Sequence, residues 1–151
     1  MIELETFADY AGYIDFQFEP GPWLVVTQDM INRFAEVTLD HNWYHVDVER
    51  ARAELPGGKT IAHGLLTLSL VPGMAAQIAR VRRHGRALNY GCDRVRYPAP
   101  VQVDSRIRLR MQVVNAEARK EGVMITRQFT MMIDGVDKPA LVANMLTLAY
   151  S

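Results

Sequence analysis

The sequence predicts an α+β domain in which an antiparallel β-sheet curls around one central apolar helix. Three observations carry that expectation. The stretch from Thr60 to Ala79 holds no formally charged residue, and a helix apolar on every side must be wrapped by protein or by lipid. After Arg86 the apolar spacing changes from helical to alternating, the period of strands with one buried face. Three or four such strands then follow one another with only short turns between them, which is a meander and not a series of helical crossovers.

Taken in order, Trp23 to Val26 is a short apolar run with the character of a strand. Thr27 is an N-cap candidate, and Asp29 lies in the first turn, where the helix dipole favours negative charge. Met30, Ile31, Phe34 and Val37 fall at helical spacing behind it, giving a helix from about 28 to 38. Asp47 is a second cap candidate and opens a short helix through Glu54 that stops before Pro56-Gly57-Gly58. The uncharged stretch from Thr60 to Ala79 has nearly the length of a membrane span. It also contains His63, Gly64, Thr67, Ser69, Pro72, Gly73 and Gln77, too much polar and helix-weakening content for contact with lipid. It reads as a core helix, bent or divided at Pro72.

A strand is expected from Ala87 to Tyr97, ending at Pro98-Ala99-Pro100. Arg106, Arg108, Arg110 and Gln112 alternate with Ile107, Leu109, Met111 and Val113, so the arginines form a solvated strand face. Val123, Ile125, Phe129, Met131 and Ile133 alternate with Met124, Thr126, Gln128, Thr130 and Met132. Asp134-Gly135 is a turn signal, and residues 140–150 form the last strand. A meander with one helix to wrap is the hotdog arrangement.

The length of 151 residues suits one domain spanning 1–151. With 49% hydrophobic and 23% charged residues, disordered, collagenous and disulfide-scaffold classes are excluded. The single cysteine, Cys92, closes no intramolecular bridge and falls in a strand, where burial is the expectation over nucleophilic chemistry. Met1-Ile2-Glu3-Leu4-Glu5 carries no secretory-signal pattern, so the expected location is cytoplasmic. Residues 1–60 carry 4 basic and 11 acidic side chains (net −7), and residues 61–151 carry 13 and 6 (net +7). The neutral total argues against a nucleic-acid binder. The opposite halves are expected to pack against each other or against a second subunit. The basic run from Arg80 to Arg86 is either a solvated helix end or a phosphate contact.

Phosphate-loop, dinucleotide, zinc and serine-hydrolase signatures are all missing from the chain. Two polar sites remain. The first is Asp40-His41-Asn42-Trp43-Tyr44-His45, read as a loop. A carboxylate and an imidazole brought together there can hold one water and move its proton. Spacing alone leaves open that Asp40 only caps a turn and that His45 is a surface residue. The second is Ile61-Ala62-His63-Gly64 at the start of the apolar helix, where unpaired N–H groups can hold a carbonyl oxygen. Here the alternative is that Gly64 merely permits close packing and His63 is a satisfied core histidine.

Asp40 through His45 followed by Ile61-Ala62-His63-Gly64 resembles the MaoC-like dehydratases, and among them the (R)-specific enoyl-CoA hydratases. Their motif runs Gly-Asp-x-Asn-Pro-x-His, with a downstream His-Gly opening the hotdog helix. The likeness extends from about Thr27 to Tyr150 and includes Asn89-Tyr90-Gly91 and Val95-Arg96-Tyr97-Pro98-Ala99-Pro100, which look like the strand after the helix in a single-hotdog subfamily. The resemblance implies that Asp40 and His45 activate one water. That water would add syn across a trans-2-enoyl thioester or leave an (R)-3-hydroxyacyl thioester. It implies an oxyanion donor at Gly64 beside His63, a loop shaped by Asn42, and no metal or redox cofactor, coenzyme A being part of the substrate. A homodimer is implied, with the acyl-CoA tail crossing the subunit boundary, which gives Arg82, Arg83 and Arg96 a task at its phosphates; no membrane partner is implied. Leu39 departs from the motif glycine, removing reliance on a positive φ, and Trp43 departs from the motif proline. Pro72 lies near the helix position where some family members carry a polar side chain lining the acyl pocket. An acyl-CoA thioesterase and a non-catalytic acyl-CoA or signal-binding hotdog protein are the alternatives on the same fold.

Overall fold

The computed structural model describes residues 1–83 and 85–150, so His84 of the basic run lies outside the described residues. The elements in chain order are β1 (Ile2–Leu4), a 3₁₀ segment (Phe7–Tyr13), β2 (Leu24–Val25), α1 (Gln28–Thr38), α2 (Trp43–Val46) and α3 (Val48–Glu54). They continue with α4 (Gly64–Ala75), β3 (Ala79–Val81), β4 (Ala87–Arg96), β5 (Arg106–Arg119), β6 (Gly122–Ile133) and β7 (Val136–Tyr150). Five strands form one antiparallel sheet in the order β2-β5-β6-β7-β4. The alternation read from the sequence fixes which side chains face α4. Leu109 opposes Met131, which opposes Leu141, while Met111 opposes Phe129 and then Ala143, and all six are buried. Leu66, Val71 and Met74 of α4 belong to the same buried cluster. This is the expected sheet curled around an apolar helix. Among the described residues no helix is long and apolar enough to cross a membrane.

The central helix is shorter than the uncharged stretch. It starts at Gly64 because the preceding residues are extended and tied to the chain after β4. The Ala62 N–H donates to the Val101 carbonyl at 2.8 Å, and the Val103 N–H donates to the Thr60 carbonyl at 2.9 Å. Pro72 does not divide the helix; α4 continues for one turn past it. Ala79, expected at the helix end, instead opens β3, which pairs in parallel with β1 (Ile2 opposite Ala79, Leu4 opposite Val81). The last strand begins at Val136, directly after the Asp134-Gly135 turn, four residues earlier than the apolar pattern suggests. Gly135 holds φ at 71°, the left-handed value that such a turn needs.

Two further readings change. Cys92 is exposed, because β4 is an edge strand with little packed over it. Partial desolvation of the thiol against the strand and the neighbouring Asp93 carboxylate push its pKa up, so it is no activated nucleophile. The arginine face of β5 is only partly solvated, since the Arg108 guanidinium lies 4.5 Å from the Trp23 ring centre.

Candidate active site

Three elements converge where α1 ends and α4 begins. Thr27 caps α1 by accepting from the Met30 N–H at 3.3 Å. At the other end Leu39 takes φ 62°, ψ 17°, the left-handed conformation that terminates a helix and turns the chain toward α4. The expectation that leucine would forgo this conformation is incorrect: Leu39 adopts the backbone a glycine would supply, with its side chain in solvent. Asp40, Asn42 and His45 follow from that turn. Asn42 donates to Asp40 Oδ1 from its side chain at 2.6 Å and from its backbone at 3.4 Å. Asp40 therefore does cap a local turn, and its second oxygen stays free of any such bond.

The segment carrying His45 is not all loop. Trp43–Val46 forms one helical turn, with Trp43 at the first helical position, where a proline would also be accommodated. The Arg50 guanidinium lies 4.0 Å from the Trp43 ring centre and holds it there. His45 is 6% exposed, so the surface alternative is excluded. Its Nδ1 lies 2.6 Å from the Ile61 carbonyl. A carbonyl only accepts, so Nδ1 carries the proton and Nε2 of the neutral ring presents a lone pair. Gln28, for which the sequence offers no local signal, secures this arrangement. Its amide donates to the His45 carbonyl at 2.8 Å and accepts from the buried Thr60 hydroxyl.

His63 is extended and caps α4. Its Nε2 lies 2.9 Å from the Asp40 carbonyl, which leaves Nδ1 as a buried acceptor with no partner. The His45 and His63 rings stack with centroids 3.7 Å apart. A donor atom from each of Asp40, His45 and His63 lies within 4.8 Å of the others, a spacing that could hold a metal ion as well as a water.

Burial pushes the His45 pKa down, and the stacked His63 adds to this, while the Ile61 carbonyl and the Asp40 charge partly oppose it. For Asp40, desolvation pushes the pKa up, but the two Asn42 hydrogen bonds and the fields of His63 and His45 outweigh it and hold the carboxyl below its ordinary value. The electrostatics thus keep a carboxylate beside a neutral imidazole near neutral pH.

A cavity of about 370 Å³ opens beside this pair, lined by His45, Ile61, Gly64, Thr67, Tyr97 and Val101 among others. Gly64 is the first residue of α4, and among the described residues its N–H has no backbone partner outside the helix, as expected at a helix N-terminus. Any Cβ at this position would meet the Tyr97 ring at 3.1 Å, so the glycine also answers a packing need. Tyr97, a further residue whose position at the site has no signature beyond its place before Pro98, therefore sets one wall. Arg82, Arg83 and Arg96 stand apart from this cluster. Arg82 pairs with Glu3, and Arg83 pairs with Glu5 at 2.7 Å, just after β3. Arg96 donates to the Val95 carbonyl from the exposed edge strand β4.

The chain is similar to known proteins in sequence and in fold. The MaoC like domain family matches residues 10–131. The 3-hydroxyacyl-thioester dehydratase Z of Mycobacterium tuberculosis is 42% identical over 147 residues, covering 97% of each chain. Nodulation protein N of Rhizobium leguminosarum bv. viciae is 39% identical over 145 residues, covering 95% of this chain and 90% of the relative. Among solved structures, the unliganded R-hydratase PhaJ1 from Pseudomonas aeruginosa superposes with a TM-score of 0.69 at 19% identity, over 88% of this chain and 83% of that one.

Proposed function

The chain belongs to the MaoC-like dehydratase family of hydro-lyases, and on that premise we propose that it is an (R)-specific enoyl-CoA hydratase. In this reading it adds water reversibly to a trans-2-enoyl-CoA and gives the (R)-3-hydroxyacyl-CoA. One observation carries the reading: a carboxylate oxygen of Asp40 and a ring nitrogen of His45 lie within 4.8 Å of each other, and His45 lines one cavity together with Gly64, the first residue of α4. The pair holds one water as a double acceptor. One member takes a proton as the hydroxyl adds to C3 of the enoyl group, and the pair returns a proton to C2 from the same face, which is syn addition. The Gly64 N–H stabilises the charge that develops on the thioester oxygen, an effect of about 3–4 kcal/mol where one such donor is removed. Asn42 holds Asp40 in place, and His63 holds the Asp40 backbone; no metal or redox cofactor takes part.

The proposal includes a homodimer in a cytoplasmic setting. Support for the dimer comes from β4, an edge strand whose residues are mostly exposed, including Leu88 and Tyr90 at 45% and 64%. An uncovered edge with apolar side chains is a template for pairing with another strand. The carrier phosphates are assigned to Arg82, Arg83 and Arg96, whose guanidinium groups reach solvent. Reversing the charge at Arg82 and Arg83 is then expected to raise KM for CoA thioesters more than for pantetheine thioesters; equal changes contradict the assignment.

Following a trans-2-enoyl-CoA by its conjugated absorbance, with a thiol reagent in a parallel sample, tests the reaction class. Loss of absorbance without free thiol is the expected result. Thiol release identifies a thioesterase instead, and no change over a panel of acyl lengths identifies a binding protein.

A further inference from the structure

The inner face of the sheet is apolar along β6 at Val123, Ile125, Phe129, Met131 and Ile133, and the one inward position breaking that series is Arg127. Its neighbours across the ladder, Val113 on β5 and Met145 on β7, are buried and apolar. The guanidinium donates to the buried Thr147 hydroxyl at 2.9 Å and reaches the Tyr10 hydroxyl at 3.5 Å. It lies 5.3 Å from each of the Tyr10 and Phe129 ring centres. The Nε atom is buried with no partner. Five N–H donors are present on this group, and among the described residues they find only these two acceptors. Among the described residues no carboxylate pairs with it. An apolar side chain at this position would pack the same face without the desolvation that a lone buried charge demands.

Arg127 borders a cavity of about 1070 Å³. Phe7, Pro72 and Ala75 supply apolar wall, Arg80 and Arg86 add positive charge, and among the described residues no aspartate or glutamate lines it. We propose that this cavity binds an amphiphilic carboxylate, whose anionic group meets Arg127 and whose apolar body lies along Phe7, Pro72 and Ala75. A carboxylate fits better than a phosphate dianion because the Arg127 guanidinium, set into the inner face of the sheet, balances a single charge in a low-dielectric wall. The cavity sits at the C-terminal half of α4. Pro72 is eight residues along the helix from Gly64, about 12 Å. Two sources share this chemistry: the far end of an acyl thioester that terminates in a carboxylate, or a separate fatty-acid-like molecule. The first source rests on the hydratase reading; binding itself does not.

Calorimetric titration with octanoate, and with 1-octanol as its uncharged match, tests the proposal without reference to catalysis. Octanoate is expected to bind about tenfold or more tightly than octanol, since a charge-assisted hydrogen bond supplies the difference. Arg127→Met is expected to abolish that preference and Arg127→Lys to keep part of it. Equal affinity of the wild-type protein for the two ligands, or no binding of either, overturns the proposal even if the variants fail to fold. The source is read from turnover. Octanoate that competes with an ω-carboxyenoyl thioester and leaves crotonyl-CoA turnover unchanged supports the substrate's far end. Octanoate that alters crotonyl-CoA turnover supports a separate ligand. Should no thioester turn over, the hydratase reading fails while the titration still decides this site.

Discussion

His45 shows how the chemistry depends on single atoms. Its Nδ1 proton is committed to the Ile61 carbonyl, so Nε2 is the ring nitrogen left with a lone pair for chemistry beside Asp40. Because burial holds its pKa below the ordinary histidine value of about 6.5, the ring stays neutral to lower pH than a free histidine would. Turnover that needs the neutral ring should therefore persist below pH ~6.5 and fall only as the pH drops through the lowered value. The stability contributed by the neutral ring has the same sign: it is present above the unfolded-state value and lost as pH falls. A kcat/KM profile with its acid limb at or above the ordinary histidine value contradicts this, as does a limb that survives in His45→Ala. Asp40, Asn42, His45, His63 and Gly64 were legible in the sequence because two short motifs in the right order resemble a family pattern; spacing alone left them open to a purely structural reading. Gln28 and Tyr97 were not, since each reaches the site only through the fold, across gaps to His45 and Gly64 that no local pattern spans.

Elements with a strong period were the ones the sequence revealed. Along α1 and the three long strands many residues agree on one buried face, and the structure follows them. β1 and β3 have three residues each and no period of their own. Their stability comes from pairing with each other across most of α1 to α4, which local reading does not detect. For the same reason the uncharged run through Ala79 overstated the central helix: Ile78, Ala79 and Val81 are apolar because they are buried around β3, not because they are helical. The junction between α1 and the site is where local preference and structure disagree. Leu39 pays for a left-handed backbone and, at 80% exposure, gains little burial in return. Leu39→Gly is expected to relieve about 1 kcal/mol of strain, a rise of about 2–4 °C in thermal midpoint for a chain of this size. A lower midpoint would mean that the leucine side chain is held by something it does not touch in the single chain.

At the scale of the whole molecule, the opposite charges of the two halves meet through Arg82 with Glu3 and Arg83 with Glu5, both exposed pairs that tie the N-terminal strand β1 to the segment just after β3. Such pairs contribute at most about 1 kcal/mol each, so they orient the ribbon without deciding the fold. The exposed edge of β4 is the larger unsatisfied surface. Light scattering is expected to give twice the chain mass, and a charged replacement at Tyr90 to shift the population toward single chains; a monomer at all concentrations contradicts the proposed assembly. The account as a whole rests on one water held between Asp40 and His45 and delivered to one face of an enoyl thioester. Its most direct test is turnover of crotonyl-CoA by the wild-type protein and by Asp40→Asn, with chiral resolution of the product and a thermal midpoint for each. The predicted result is (R)-3-hydroxybutyryl-CoA from the wild type, and from the variant a rate lower by about 10²–10⁴-fold with the midpoint within a few degrees. An (S) product, or a variant as fast as the wild type, would contradict it.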